Sequence, residues 1–144
     1  MSKNIVLKKG LNIPVNGVAG LRISNVRTPD VVAVQPTDFK GLLPRLLVRE
    51  GDAVSCGSPV IADKTHADLL ITSPVSGTVK EIVRGEKRKL LAVLIENDHK
   101  HTRTDFSAGK ASELDAAKVK QLLLSSGMWP WIVQRPYGII ADPD

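Results

Sequence analysis

Residues 46–79, LLVREGDAVSCGSPVIADKTHADLLITSPVSGTV, decide how this chain is read. Leu46-Leu47-Val48 is an apolar run, and Glu50-Gly51-Asp52 follows as a turn with a glycine able to take positive φ. Ala53-Val54 leads into a second turn, Cys56-Gly57-Ser58-Pro59, from which Val60-Ile61-Ala62 returns as a strand. A polar hairpin over 63–68 precedes Leu69-Leu70-Ile71, and Ser73-Pro74-Val75-Ser76-Gly77 turns the chain again before Thr78-Val79. Short β-branched runs punctuated by Gly, Pro, Asp and Ser are the pattern of a small all-β unit. The last glycine of that turn, Gly77, is expected to need backbone angles that other residues resist.

The order of these pieces resembles the biotinyl/lipoyl-like module, a flattened barrel of short strands called a barrel-sandwich hybrid. The resemblance implies a mainly β fold, here with extra N-terminal strands and a C-terminal helix. In carrier modules of this kind the hairpin tip bears a modified lysine, eight residues before the proline of the following turn. Counting back from Pro74 reaches His66, and Lys64 stands two residues out of register. A lipoyl or biotinyl carrier is therefore the alternative that this sequence disfavours, and no attached cofactor is expected.

The chain has 144 residues, 42% hydrophobic but only 3% aromatic, so its core must come from Val, Leu, Ile and Ala. Its net charge of +5 is compatible with nucleic acid, anionic lipid or an acidic partner. Aromatic side chains for stacking on single strands are missing between Phe39 and Phe106, which argues against nucleic acid. A single cysteine, Cys56, rules out an internal disulfide and reads as a small buried filler. No run approaches the ~20 apolar residues of a membrane span. A soluble chain follows, held at any membrane by other subunits.

Around the central stretch, residues 4–8 read as a first strand and 11–17 as an edge segment weakened by Pro14, with Asn16-Gly17 as a turn. Residues 21–34 alternate apolar and polar on either side of Thr28-Pro29-Asp30, and 35–45 read as loop. Residues 78–83 and 89–96 form a strand pair around the basic turn Arg84 to Lys89. Ser112 looks like the N-cap of a helix over 112–126 that lays Ala116, Val119, Leu122 and Leu123 on the barrel and ends at Gly127. Pro130 could open a second short helix, and 137–144 trail off. Residues 1–98 thus make the β domain, and 99–144 a loop, the helix and the start of a linker.

Several blocks now resemble the N-terminal region of the A subunit of the sodium-translocating NADH:quinone oxidoreductase. They are Lys8-Lys9-Gly10-Leu11-Asn12-Ile13-Pro14-Val15-Asn16-Gly17, Val48 to Asp52, Ser73 to Val79, Arg84-Gly85-Glu86-Lys87-Arg88, Ser126-Gly127-Met128-Trp129 and Arg135-Pro136-Tyr137, in the family's order. The resemblance implies a peripheral protein on the cytoplasmic face of the bacterial inner membrane, continuing into a Rossmann-like domain. It also implies a complex that uses NADH, flavins, iron–sulfur centres, ubiquinone and Na+, with none of these bound by residues 1–144. Its partners would be the other subunits of that complex. The nearest alternative is the C subunit of the Rnf electron-transport complex, which shares the Pro-Val-Ser-Gly-Thr-Val block.

No catalytic set emerges from the spacing, and no metal ligands are assigned. His99-Lys100-His101 lacks neighbouring carboxylates or thiols in a zinc-like pattern, and His66 reads as a solvated turn residue. Both tryptophans and the only tyrosine gather with an arginine at Trp129, Trp131, Arg135 and Tyr137. They are candidate contacts to a quinone or, preferred here, to a neighbouring domain. Residues 128–144 are accordingly expected to be poorly anchored on their own.

Overall fold

The computed structural model describes residues 16–18, 20–106 and 109–144. The expected strand at 4–8 and most of the segment over 11–17 lie outside the described residues. Asn16-Gly17 bends, with Gly17 at φ 105°.

Nine strands and one α-helix are described: β1 Val31–Val34, β2 Pro44–Leu46, β3 Ala53–Val54, β4 Pro59–Asp63, β5 Leu70–Thr72, β6 Gly77–Arg84, β7 Leu90–Asn97, α1 Ala116–Ser125, β8 Val133–Gln134 and β9 Ile139–Ile140. One antiparallel sheet has the order β1-β7-β6-β3, a second β2-β4-β5, and β8-β9 form a hairpin. Val34, Val79, Val93 and Ile95 from the first sheet meet Val60, Ile61 and Ile71 from the second in one buried cluster. This is the mainly β architecture expected of a barrel-sandwich hybrid, with a core of branched aliphatics. Pro44 fits β2 because it opens an edge strand, where its missing donor costs no ladder bond.

The predicted turns are held by specific bonds. Asp52 Oδ2 accepts from the Arg49 amide at 2.7 Å, and Gly51 N–H donates to Val79 O at 2.8 Å, tying that turn to β6. In the turn over 73–77 both serines are buried yet satisfied: Ser73 Oγ donates to Val75 O and Ser76 Oγ to Asp98 Oδ1, each at 2.6 Å. The Ser76 hydroxyl, then the Lys100 amide, hold the Asp98 carboxyl below the usual carboxylate range.

Four expectations change. Residues 21–29 are not strand: Leu21, Ile23 and Val26 are at least 84% exposed. Their would-be partner β7 ends at Asn97, whose backbone and side-chain N–H groups bond Asp30 O and Pro29 O, so no ladder remains for the residues before. Residues 35–45 are not plain loop, since a 3-10 turn over Pro36–Asp38 precedes β2. Cys56 is half-buried and not fully so; its backbone bridges to residues 102–104. The helix runs over Ala116–Ser125 and not over 112–126. Asp115 is its cap, accepting from Lys118 N at 2.7 Å, while Ser112 lies in a separate 3-10 turn, Ala111–Glu113. A carboxylate serves the cap as well as a hydroxyl does and adds favourable charge at the positive helix end.

The helix also attaches differently. Ala116 and Val119 are exposed, and only Leu124 is buried within α1. Its C-terminal end makes the contact. Gly127 (φ 73°) and Met128 donate to Leu124 O and Leu123 O, a pair of bonds that closes the helix. A Cβ on Gly127 would come within 2.7 Å of the Thr72 methyl carbon. Gly127→Val should therefore cost about 2–4 kcal/mol by straining the turn and prising α1 off β5. Urea unfolding would read this, and an unchanged midpoint would mean the helix end does not rest on Thr72.

Candidate functional site

The sequence singled out the segment that follows α1. A 3-10 turn, Trp129–Trp131, carries Pro130 into a buried position, and the β8–β9 hairpin then returns the chain. The tail does not trail off as expected. Trp129 Nε1 donates to Ala141 O at 2.8 Å, and Ala141 N donates back to Ile132 O at 2.8 Å. Ile140 N donates to Lys40 O at 3.1 Å, and Lys40 Nζ to Tyr137 O at 2.9 Å. Residues 128–144 are thus anchored on their own domain. A sequence pattern cannot show this, because every partner at 39–41 is about a hundred residues away.

The four aromatic and basic candidates are not brought into one pocket. Trp129 turns inward to its hydrogen bond and is half-buried. Trp131 is 69% exposed, with its ring edge-on to Phe39 at 5.4 Å between centroids. On one side it borders an apolar cleft of 260 Å³ with Val34, Phe39, Ile71 and Met128, and on the other a cleft of 300 Å³ with Lys40, Pro130 and Val133. Arg135 and Tyr137 sit in the exposed turn of the β8–β9 hairpin and line neither cleft. What the fold presents is a surface: Met128, Trp131, Ile132, Val133 and Tyr137 are all exposed apolar side chains from one short stretch. Phe39 was missed as a member, and nothing local in the sequence marks it.

The basic turn forms the β6–β7 hairpin tip. Lys87 and Arg88 take positive φ (53° and 61°), and Arg84, Lys87, Arg88 and Lys89 all point to solvent. His99 Nε2 lies 3.0 Å from Asp30 Oδ1 in an exposed pair, beside the Arg27–Asp30 ion pair.

The carrier position is occupied by other chemistry. Asp63, 5% exposed, accepts from Leu43 N at Oδ2 (2.7 Å) and from Thr65 N and His66 N at Oδ1 (2.6 and 3.0 Å). Burial raises its pKa, but these three donors and the neighbouring His66 outweigh burial and hold it below the usual range. Lys64 leaves from the end of β4, its amide bonded to Leu43 O, and is not at the hairpin tip. His66 is not a freely solvated turn residue as expected: its side chain is 27% exposed and faces Asp142 and Asp144. The hairpin tip itself, residues 65–68, carries no lysine.

Comparison with known proteins agrees with this architecture. Residues 5–98 match the family described as the NqrA N-terminal barrel-sandwich hybrid domain. The chain is 40% identical over 142 residues to the A subunit of the Na(+)-translocating NADH-quinone reductase of Actinobacillus pleuropneumoniae serotype 5b (strain L20), covering 97% of this chain and 32% of that protein. It is 37% identical over 135 residues to the protein of the same name from Haemophilus influenzae (strain PittEE), covering 92% of this chain and 30% of that protein. With the corresponding protein of Marinomonas sp. (strain MWYL1) it shares 36% over 138 residues, covering 94% and 31%. The chain spans about a third of the length of the curated relatives it matches. These relatives are named for the Na(+)-translocating reductase and not for the Rnf complex, the alternative weighed from sequence.

Proposed function

The chain belongs to the NqrA N-terminal barrel-sandwich hybrid domain family, and from that membership we propose that it is a non-catalytic assembly module at the N-terminus of the NqrA component of a Na+-translocating NADH:quinone reductase. The complex would couple NADH oxidation and quinone reduction to sodium export, with flavins and iron–sulfur centres in other subunits. This module would stand at the cytoplasmic face of the inner membrane. Among the described residues no helix is long and apolar enough to cross a membrane. Attachment there would fall to partner subunits and to the rest of the NqrA chain.

The observation that carries the assembly role is the exposed apolar surface around Trp131, on a tail otherwise fixed to its own domain. Aromatic anchors on a rigid support are what a stable interface uses. A quinone would need an enclosed slot with a donor at each end, and of the four candidates only Trp131 borders the apolar cleft. The interface reading is therefore the better supported one.

The test mixes this chain with the remaining two thirds of the Actinobacillus protein, expressed separately. Co-elution on size exclusion is expected, and Trp131→Glu should weaken the association at least tenfold, as central aromatic anchors do. Absence of any complex, or a Trp131→Glu complex of equal strength, would sink the docking role.

A further inference from the structure

We propose that His66, Asp142 and Asp144 form a binding site for a divalent transition-metal ion of the Zn2+ class, joining the C-terminal tail to the β4–β5 hairpin. His66 Nε2 lies 3.5 Å from Asp142 Oδ1 and 3.6 Å from Asp144 Oδ2, and one ligand atom from each residue falls within 4.8 Å of the others. Ligands at the usual Zn–N and Zn–O lengths of about 2.0–2.2 Å sit about 3.3–3.5 Å apart on a tetrahedron. The two histidine–carboxylate distances already approach that spacing, so a small closure of the Asp142–Asp144 pair completes three corners.

Both halves of the site are held by groups outside it. On the hairpin side, buried Asp63 clamps the backbone of Thr65 and His66 and, through Leu43, fastens it to the approach to β2. His66 Nδ1 is 4.0 Å from Asp63 Oδ1, beyond hydrogen-bond range, so a carboxylate lies on the side of the ring nitrogen not offered to the metal without bonding it. On the tail side, Pro143 is buried between the two exposed aspartates, and the preceding Ala141 is bonded through its amide to Ile132 O and through its carbonyl to Trp129 Nε1. The ligands thus come from segments 76 residues apart, each held independently of the ion.

Charge argues the same way. Two carboxylates facing one imidazole carry a surplus of negative charge. Among the described residues no Lys or Arg is ion-paired with Asp142 or Asp144. One nitrogen and two oxygens suit Zn2+ or its neighbours better than Ca2+ or Mg2+, which prefer all-oxygen shells. His66 and Asp142 also line a cleft of 370 Å³ with Leu69, Gln134 and Ile139, leaving room for water at the fourth position.

The experiment titrates the metal-free chain with Co2+, whose visible absorption reports tetrahedral N/O ligation, and then displaces it with Zn2+. One ion per chain is expected, with a rise in melting temperature on Zn2+ addition. His66→Gln and Asp142→Asn should each weaken binding at least tenfold while leaving the far-ultraviolet circular dichroism unchanged, and His99→Gln should bind like the parent. Binding that survives both substitutions would place the ion elsewhere and overturn the site. A melting temperature that does not move with Zn2+ would show an ordinary ion pair, and would overturn it equally. None of this depends on assembly with the rest of the reductase, so failure here leaves the docking role standing.

Discussion

Gly77→Val should destabilise the chain by about 3–5 kcal/mol, a large fraction of a small domain's total stability. The sequence suggested a milder strain effect, about 1–3 kcal/mol for a turn glycine forced into an unfavourable conformation. The structure adds a collision. Gly77 opens β6 at φ 152° and pairs with Asn97 of β7. Any Cβ there would strike the Glu96 carbonyl oxygen and lie 2.9 Å from its carbon. Backbone cannot yield as a flexible side chain would, because Glu96 is itself paired with Thr78 and Val31 in the middle of the four-stranded sheet. Even Gly77→Ala should lose most of the same energy. Equilibrium urea unfolding measures it, and an alanine variant within about 0.5 kcal/mol of the parent would mean that β6 and β7 do not approach as described.

Asp63→Ala should cost about 2–4 kcal/mol, the penalty for removing a buried charged acceptor from three backbone donors. Three amides, from Leu43, Thr65 and His66, lose their partner together, and the connection before β2 separates from the loop after β4. Its pH signature is equally specific. The folded carboxyl titrates below its ordinary value, so its stabilisation is complete above the unfolded pKa of about 3.9. As pH falls through the lower folded value that contribution disappears. The parent should lose stability across this acid window, and Asp63→Ala should lose less across it. Parallel acid limbs for parent and variant would show that Asp63 is not the group responsible.

Much of the β domain was legible because its signals are local. The turn residues Gly51, Gly57, Pro74 and Gly77 dictate where the chain must reverse, and branched aliphatics between them supply a core without aromatics. The apolar pattern at 21–26 misled for the converse reason: alternation states that a segment can pair, not that a neighbour exists. The helix was found with its start misplaced, since Ser112 and Asp115 both suit an N-cap and only packing chooses between them.

From sequence alone came the mainly β barrel-sandwich unit, its turns, the helix end at Gly127 and the family, because each rests on short-range backbone preference or on blocks in order. The tertiary structure alone decided how the tail is used. Trp129 turns inward and Trp131 outward although they stand two residues apart, because the 3-10 turn between them and the carbonyl of Ala141 set their directions. His66 meets Asp142 and Asp144 for the same kind of reason. Contacts between residues so far apart along the chain are made by the folding of the backbone, and no local pattern of side chains encodes them.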